Sequence, residues 1–111
     1  MSNNVNNKFG LTQRDINTLT GILRKYSTVA DVVVFGSRAK GTFKPGSDID
    51  LAVMNNGVSD AEILNIKNDL EESSLPYFVD VLNYPNIKTA DLINHIKRVG
   101  ITLYKKETVS V

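Results

Sequence analysis

The chain contains no cysteine and no tryptophan, only three prolines, and no large excess of either charge sign. Each shortage excludes something. Without cysteine there is no disulfide framework and no thiolate metal site, and a reducing compartment fits. With 13 basic against 12 acidic side chains the net charge is +1, so the basic surplus expected of a protein gripping long nucleic acid through its phosphates is missing, and a nucleic-acid role is disfavoured. Long apolar runs are also missing. Runs such as Val32-Val33-Val34-Phe35 have the length of a strand, and the Asn-rich start, Met1 to Lys8, reads as neither a signal peptide nor a membrane anchor. A cytoplasmic protein with no membrane association is expected.

What is present suits one small core. The 111 residues leave no room for a second one, and 41% hydrophobic with 23% charged residues is an ordinary globular mixture. The expected organisation is a flexible tail over 1–10, a domain over 11–106 and a short tail over 107–111.

A first helix is expected from Thr12, with Asp15 in a capping-box position and Ile16, Leu19, Leu23 and Tyr26 on its buried stripe beside Ile22. Val32 to Phe35 predicts a strand buried on both faces. Gly36 to Gly46 reads as a loop with one helical turn over Ser37 to Lys40. A second strand spans Ile49 to Met54 and ends at Asn55-Asn56-Gly57. Ser59 and Glu62 form a capping box for a helix buried through Ile63, Ile66 and Leu70. Pro76 precedes a third strand, Tyr77 to Leu82, and Asn83 to Asn86 turns the chain. A last helix runs from about Thr89 to Val99 with Leu92, Ile93 and Ile96 apolar. Gly100 is placed to end it, and Ile101 to Tyr104 forms a short fourth strand. The order predicts an α+β domain, a small mixed sheet backed by helices.

The chemistry concentrates between Gly36 and Asp50. On a strand Asp48 and Asp50 share one side, with Cα atoms roughly 6–7 Å apart from two residues of rise, while Ile49, Leu51 and Val53 face the core. Two ionised carboxylates that close repel, and a bound cation relieves the repulsion. Mg²⁺ prefers hard oxygen ligands and is often held by one or two carboxylates plus substrate phosphates. A pair of such ions activates an attacking hydroxyl and steadies a leaving pyrophosphate. Asp80 interrupts the apolar run Tyr77-Phe78-Val79-Asp80-Val81-Leu82, where a charge must face solvent, pair or bind metal. If the third strand lies beside the second, Asp80 joins the other two carboxylates. Gly36 permits close backbone approach to phosphates, and Ser37 adds a hydroxyl and exposed N–H groups at the start of a helical turn. Arg38, Lys40 and Lys44 add positive charge nearby.

Gly-Ser, ten intervening residues, then Asp-Ile-Asp, within GSRAKGTFKPGSDIDLAV, resembles the signature of the minimal nucleotidyltransferases of the DNA polymerase β superfamily. Asp80 in FVDVL stands where that family has its third metal carboxylate, and DLINHIKRVGITLYKK resembles its last helix and strand. The likeness covers about Leu19 to Lys106. It implies a polymerase-β-like fold, a nucleoside triphosphate (often ATP), two Mg²⁺ ions held by Asp48, Asp50 and Asp80, and a triphosphate held by Gly36 and Ser37. Many members are antitoxins of HEPN-domain toxins and attach AMP to a tyrosine of that partner. These residues are not expected to include the second domain with which larger relatives bind acceptors. The acceptor surface is therefore expected on another protein, in a hetero-oligomer with the toxin, or on a second copy in a homo-oligomer. Two other classes stay open: a non-catalytic antitoxin that covers its partner, and a transferase for a small molecule of the antibiotic type.

Plainer readings stand beside these. A lone Asp-x-Asp is a weak signal, with Asp48 capping a turn and Asp50 a strand-edge charge. Arg38, Lys40 and Lys44 also fit a solvated basic loop. Ser47 reads first as a turn residue and second as a nucleotide contact or an orienter of Asp48. His95, the only histidine, reads as a partly exposed surface residue rather than a general base, and the four tyrosines as core or rim aromatics. Gly36 to Gly41 has P-loop glycine spacing, but Thr42 stands where that loop needs lysine, which disfavours an NTPase of that kind.

Overall fold

The computed structural model describes residues 9–106. The elements follow the order α1 (Gln13–Arg24), β1 (Asp31–Phe35), α2 (Gly36–Lys40), β2 (Ile49–Val53), α3 (Asp60–Glu71), β3 (Val79–Asn83), a 3₁₀ turn (Tyr84–Asn86), α4 (Ala90–Val99) and β4 (Ile101–Lys105). The four strands form one mixed sheet in the order β3-β2-β1-β4. β1 is antiparallel to β2 and to β4, and β2 runs parallel to β3. A parallel pair needs a long crossover, and α3 supplies it.

The helix starts follow from the sequence. Thr12 and Ser59 each accept the N3 backbone N–H, and Asp15 and Glu62 return the bond to the cap backbone, so both capping boxes are complete. The strands are buried on alternating faces. Val32, Val34, Ile49, Leu51, Val53, Val79 and Val81 pack with Leu19 and Leu23 of α1 and Ile63, Ile66 and Leu70 of α3. Val33, Phe35 and Ala52 pack on the other face with Ile96 of α4. β1 is therefore covered on both sides, as its unbroken apolar run predicts. Among the described residues no helix is long and apolar enough to cross a membrane.

Several boundaries differ from expectation. β2 begins at Ile49 as expected but ends at Val53 rather than Met54, and Asp48 lies in the loop before it, outside the strand whose pleat was expected to align it with Asp50. Tyr77 and Phe78 precede β3, and Asn83 belongs to it rather than to the following turn. Phe78 still joins the ladder with its carbonyl, which accepts from Ile49 N, while its side chain is 63% exposed. Gly100 ends α4 in an extended conformation rather than a left-handed cap, and a Cβ there would crowd the Ile96 carbonyl and Val33 of β1. Of the expected tail over 1–10, only Phe9 and Gly10 fall within the described residues, and Phe9 is buried in the core. The tail over 107–111 lies outside them.

Candidate active site

The parallel register sets Asp50 of β2 directly opposite Asp80 of β3. Register partners share a face, and adjacent strands are about 4.8 Å apart. Both acids therefore stand on the face that carries Ala52 and Leu82, opposite the side packed by α1 and α3. Asp48 is exposed just before the strand. Burial, then the Asp80 carboxylate, then the Asp48 carboxylate push Asp50 above the usual aspartate range, with the His95 imidazole opposing them. The three acids are close enough for the other two to hinder ionisation of Asp50.

Gly36 closes one side of this group. It joins β1 to α2 with φ +73°, and a Cβ at this position would overlap Oδ2 of Asp50. Only glycine supplies both the backbone angle and the space. The half-buried Ser37 follows in the first turn of α2.

The basic side chains separate. Arg38, expected among the nucleotide contacts, turns into the protein and is 2% exposed. Its Nε and Nη2 donate to the Ser47 carbonyl at 3.1 and 2.8 Å, and Nη1 donates to the Phe9 carbonyl at 2.9 Å. The guanidinium also lies 4.7 Å from the Tyr77 ring centroid and 5.1 Å from that of Phe43. Arg38 is thus a clamp that ties α2 to the loop before Asp48 and to the chain ahead of α1. Lys40 and Lys44 remain exposed. Ser47 is a turn residue: its N–H donates to the Lys44 carbonyl at 2.9 Å and its Oγ accepts from Lys44 N at 2.8 Å, around Pro45-Gly46.

Two residues enter the neighbourhood that sequence reasoning had not placed there. His95 packs edge-on against Phe35, 6.1 Å between centroids, and lies near enough to act on Asp50. Helical spacing put it beside buried Ile96 but gave no sign of the strand it faces. Lys67 of α3 reaches Oδ1 of Asp80 at 3.5 Å. Asp80 Oδ1 also accepts from Val81 N at 3.0 Å. Among the described residues no three acidic or imidazole groups are gathered as a metal cage. The donor chemistry still suits Mg²⁺: hard carboxylate oxygens only, two of them opposed on adjacent strands, with Asp50 under repulsion that a cation would relieve.

The comparisons agree on one family. The family model "Polymerase beta, Nucleotidyltransferase" matches residues 17–109. A probable protein adenylyltransferase MntA of Haemophilus influenzae is 35% identical over 77 residues, covering 68% of this chain and 67% of that protein. Among solved structures, a toxin–antitoxin complex with AMP-PNP matches with a TM-score of 0.68 at 23% identity, over 84% of this chain and 75% of the matched one. A complex of tri-AMPylated Shewanella oneidensis HEPN toxin with MNT antitoxin matches with a TM-score of 0.64 at 21% identity, over 85% and 72%. At these identities the solved structures bear on the fold.

Proposed function

The chain belongs to the polymerase β nucleotidyltransferase family, and from that premise we propose that it transfers AMP from ATP, with Mg²⁺, to a tyrosine hydroxyl of a HEPN-type toxin and so acts as its antitoxin. The observation that carries this reading is the opposition of Asp50 and Asp80 across β2 and β3, beside Asp48 and the Gly36 bend. The relatives supply the acceptor class: one is named as a protein adenylyltransferase, and another is an antitoxin in complex with an AMPylated HEPN toxin.

Asp48, Asp50 and Asp80 would hold the metal. When bound, Mg²⁺ supplies positive charge that lowers the pKa of the acceptor hydroxyl and stabilises the leaving pyrophosphate. Gly36 keeps the wall beside Asp50 free of side-chain bulk, so that a phosphate can approach. Ser37 offers its hydroxyl and backbone N–H to the triphosphate, with Lys40 and Lys44 as exposed cations along its path. Asp80 accepts the proton of the acceptor hydroxyl. The hydroxyl oxygen bonds to the α-phosphorus, the bond from that phosphorus to the bridging oxygen breaks, and pyrophosphate leaves.

The test is incubation with α-labelled ATP, Mg²⁺ and a HEPN-type toxin, taken first from the gene neighbouring this one where it encodes such a protein. Label on the partner that disappears with Asp48→Asn is expected. No transfer by the native chain, or equal transfer by the variant, would end the enzymatic reading. A second reading, neutralisation by coverage alone, draws on the exposed apolar side chains of Leu64 and Phe78, which flank a cavity of about 290 Å³ beside β3. Asp50→Ala separates the two, since a pure binder still neutralises its toxin.

A further inference from the structure

We infer that Lys67 is a displaceable counterion: it holds Asp80 in the metal-free enzyme, and a divalent cation enters by moving it onto Glu71. This rests on the metal-dependent transfer proposed above and adds a positioning residue to it.

Lys67 comes from α3, which packs on the sheet face opposite the acids, and it meets Asp80 at the sheet edge formed by β3. It stands four residues after buried Ile63 and three before buried Leu70, on the border of the buried stripe. Its stem can follow the apolar edge while its ammonium reaches the carboxylate. The side chains of the pair are 40% and 37% exposed, and an ion pair so open to water contributes little stability. Its consequence is local charge. Asp80 faces Asp50 across the ladder, and Asp50 is already disfavoured by burial and by both neighbouring carboxylates. Lys67 offsets part of that repulsion without a metal, and it occupies an oxygen that a metal needs.

The lysine has somewhere to go. Glu71 lies one turn further along α3, at the i+4 spacing at which a lysine and a glutamate can pair. Lys67 and Glu71 line the same cavity of about 290 Å³ with Leu64, Asn68 and Phe78. Asp80 holds the ammonium, Glu71 stands within one helical turn of it, and the charge on the Asp80 side decides between them. Asp80 thus meets Lys67 and the Val81 N–H through Oδ1 while it stands opposite Asp50 across the ladder.

The experiment titrates Mn²⁺ into the protein and follows the loss of the free hydrated-ion signal by electron paramagnetic resonance. Lys67→Met is expected to tighten Mn²⁺ binding by about two- to fivefold, the size of a half-exposed ion pair, while Lys67→Arg stays near wild type. In an Asp80→Asn background Lys67→Met should change nothing, because the competition runs through that carboxylate. Unchanged or weaker binding by Lys67→Met would overturn the assignment. So would the same tightening in the Asp80→Asn background, which would make Lys67 only a distant field. Wild-type protein that binds no Mn²⁺ would remove the metal site itself and the counterion with it. Wild-type binding that is indifferent to residue 67 would leave the site standing and remove only the counterion.

Discussion

At the scale of single residues, Arg38, Lys40 and Lys44 look alike in sequence, three cations in a glycine-bounded loop. Position in the chain does not distinguish them. What separates them is a contact with Phe9, 29 residues away, and an aromatic pair of which Phe43 lies in the same loop but Tyr77 comes from the far side of β2 and α3, so a local window does not reveal the whole site. The buried guanidinium spends donors on the carbonyls of Ser47 and Phe9, so removing it strands acceptors inside the protein. Arg38→Met should destabilise by about 2–4 kcal/mol in urea unfolding, and Arg38→Lys, which cannot reproduce the forked geometry, should recover only part. Nucleotide affinity of the fraction that remains folded should hold. A well-folded Arg38→Met that has lost nucleotide binding would return this arginine to the phosphate site. Asp50, by contrast, was legible: a carboxylate alternating with Ile49 and Leu51 has to face away from the core, and it does.

At the scale of elements, helix starts were readable because capping is local. Both boxes span four residues, and both are formed. The joint between α1 and α3 was not readable, because Tyr26 and Asp69 lie 43 residues apart. Tyr26 Oη donates to Asp69 Oδ2 at 2.5 Å, and Lys25 Nζ stands 3.3 Å from the same oxygen. The tyrosine, a stripe residue by its spacing, is also a polar latch. Burial, then the hydrogen bond and negative charge of Asp69, push the Tyr26 phenol up to about 12. The phenol, then Lys25, holds the Asp69 carboxyl below its usual range. The signs are opposite. The raised phenol contributes stability that is complete below the unfolded value of about 10 and lost as pH rises toward 12. The depressed carboxyl contributes stability that is present above its unfolded value and lost as pH falls through its folded one. Tyr26→Phe should therefore be less stable than wild type near neutral pH, and the difference should shrink at both extremes. Urea midpoints measured across pH for the two proteins check this. A constant difference across the range would mean that Tyr26 acts by packing alone.

At the scale of the whole molecule, the sheet divides labour between its faces. One face is sealed by α1 and α3. The other carries a smaller apolar cluster under α4 and, toward one end, the acids. Period-two alternation in the sequence foretold that division for β2, and the unbroken apolar run of β1 foretold that both of its faces are covered. It did not foretell the alignment of the strands: slipping β3 by one residue against β2 would send Asp80 to the sealed face. The register that opposes Asp50 to Asp80 comes from α3 spanning the crossover and from the Phe78 carbonyl bonded to Ile49 N, both long-range facts. That register leaves the metal-free fold with a cluster of like charges, and any ligand that neutralises them and binds only the native state must stabilise it. At tenfold excess over Kd, Mg²⁺ with a non-hydrolysable ATP analogue should add about 1.4 kcal/mol, a rise in Tm of about 5–10 °C for a domain of this size. Asp50→Asn removes the charge that burial and its neighbours disfavour, so its ligand-free Tm should exceed that of wild type while most of the ligand-induced rise disappears. The two shifts have one cause and must appear together in the same melting series. A lower ligand-free Tm for Asp50→Asn would mean that Asp50 holds the fold through contacts worth more than the repulsion it suffers, and the acids would then be structural first.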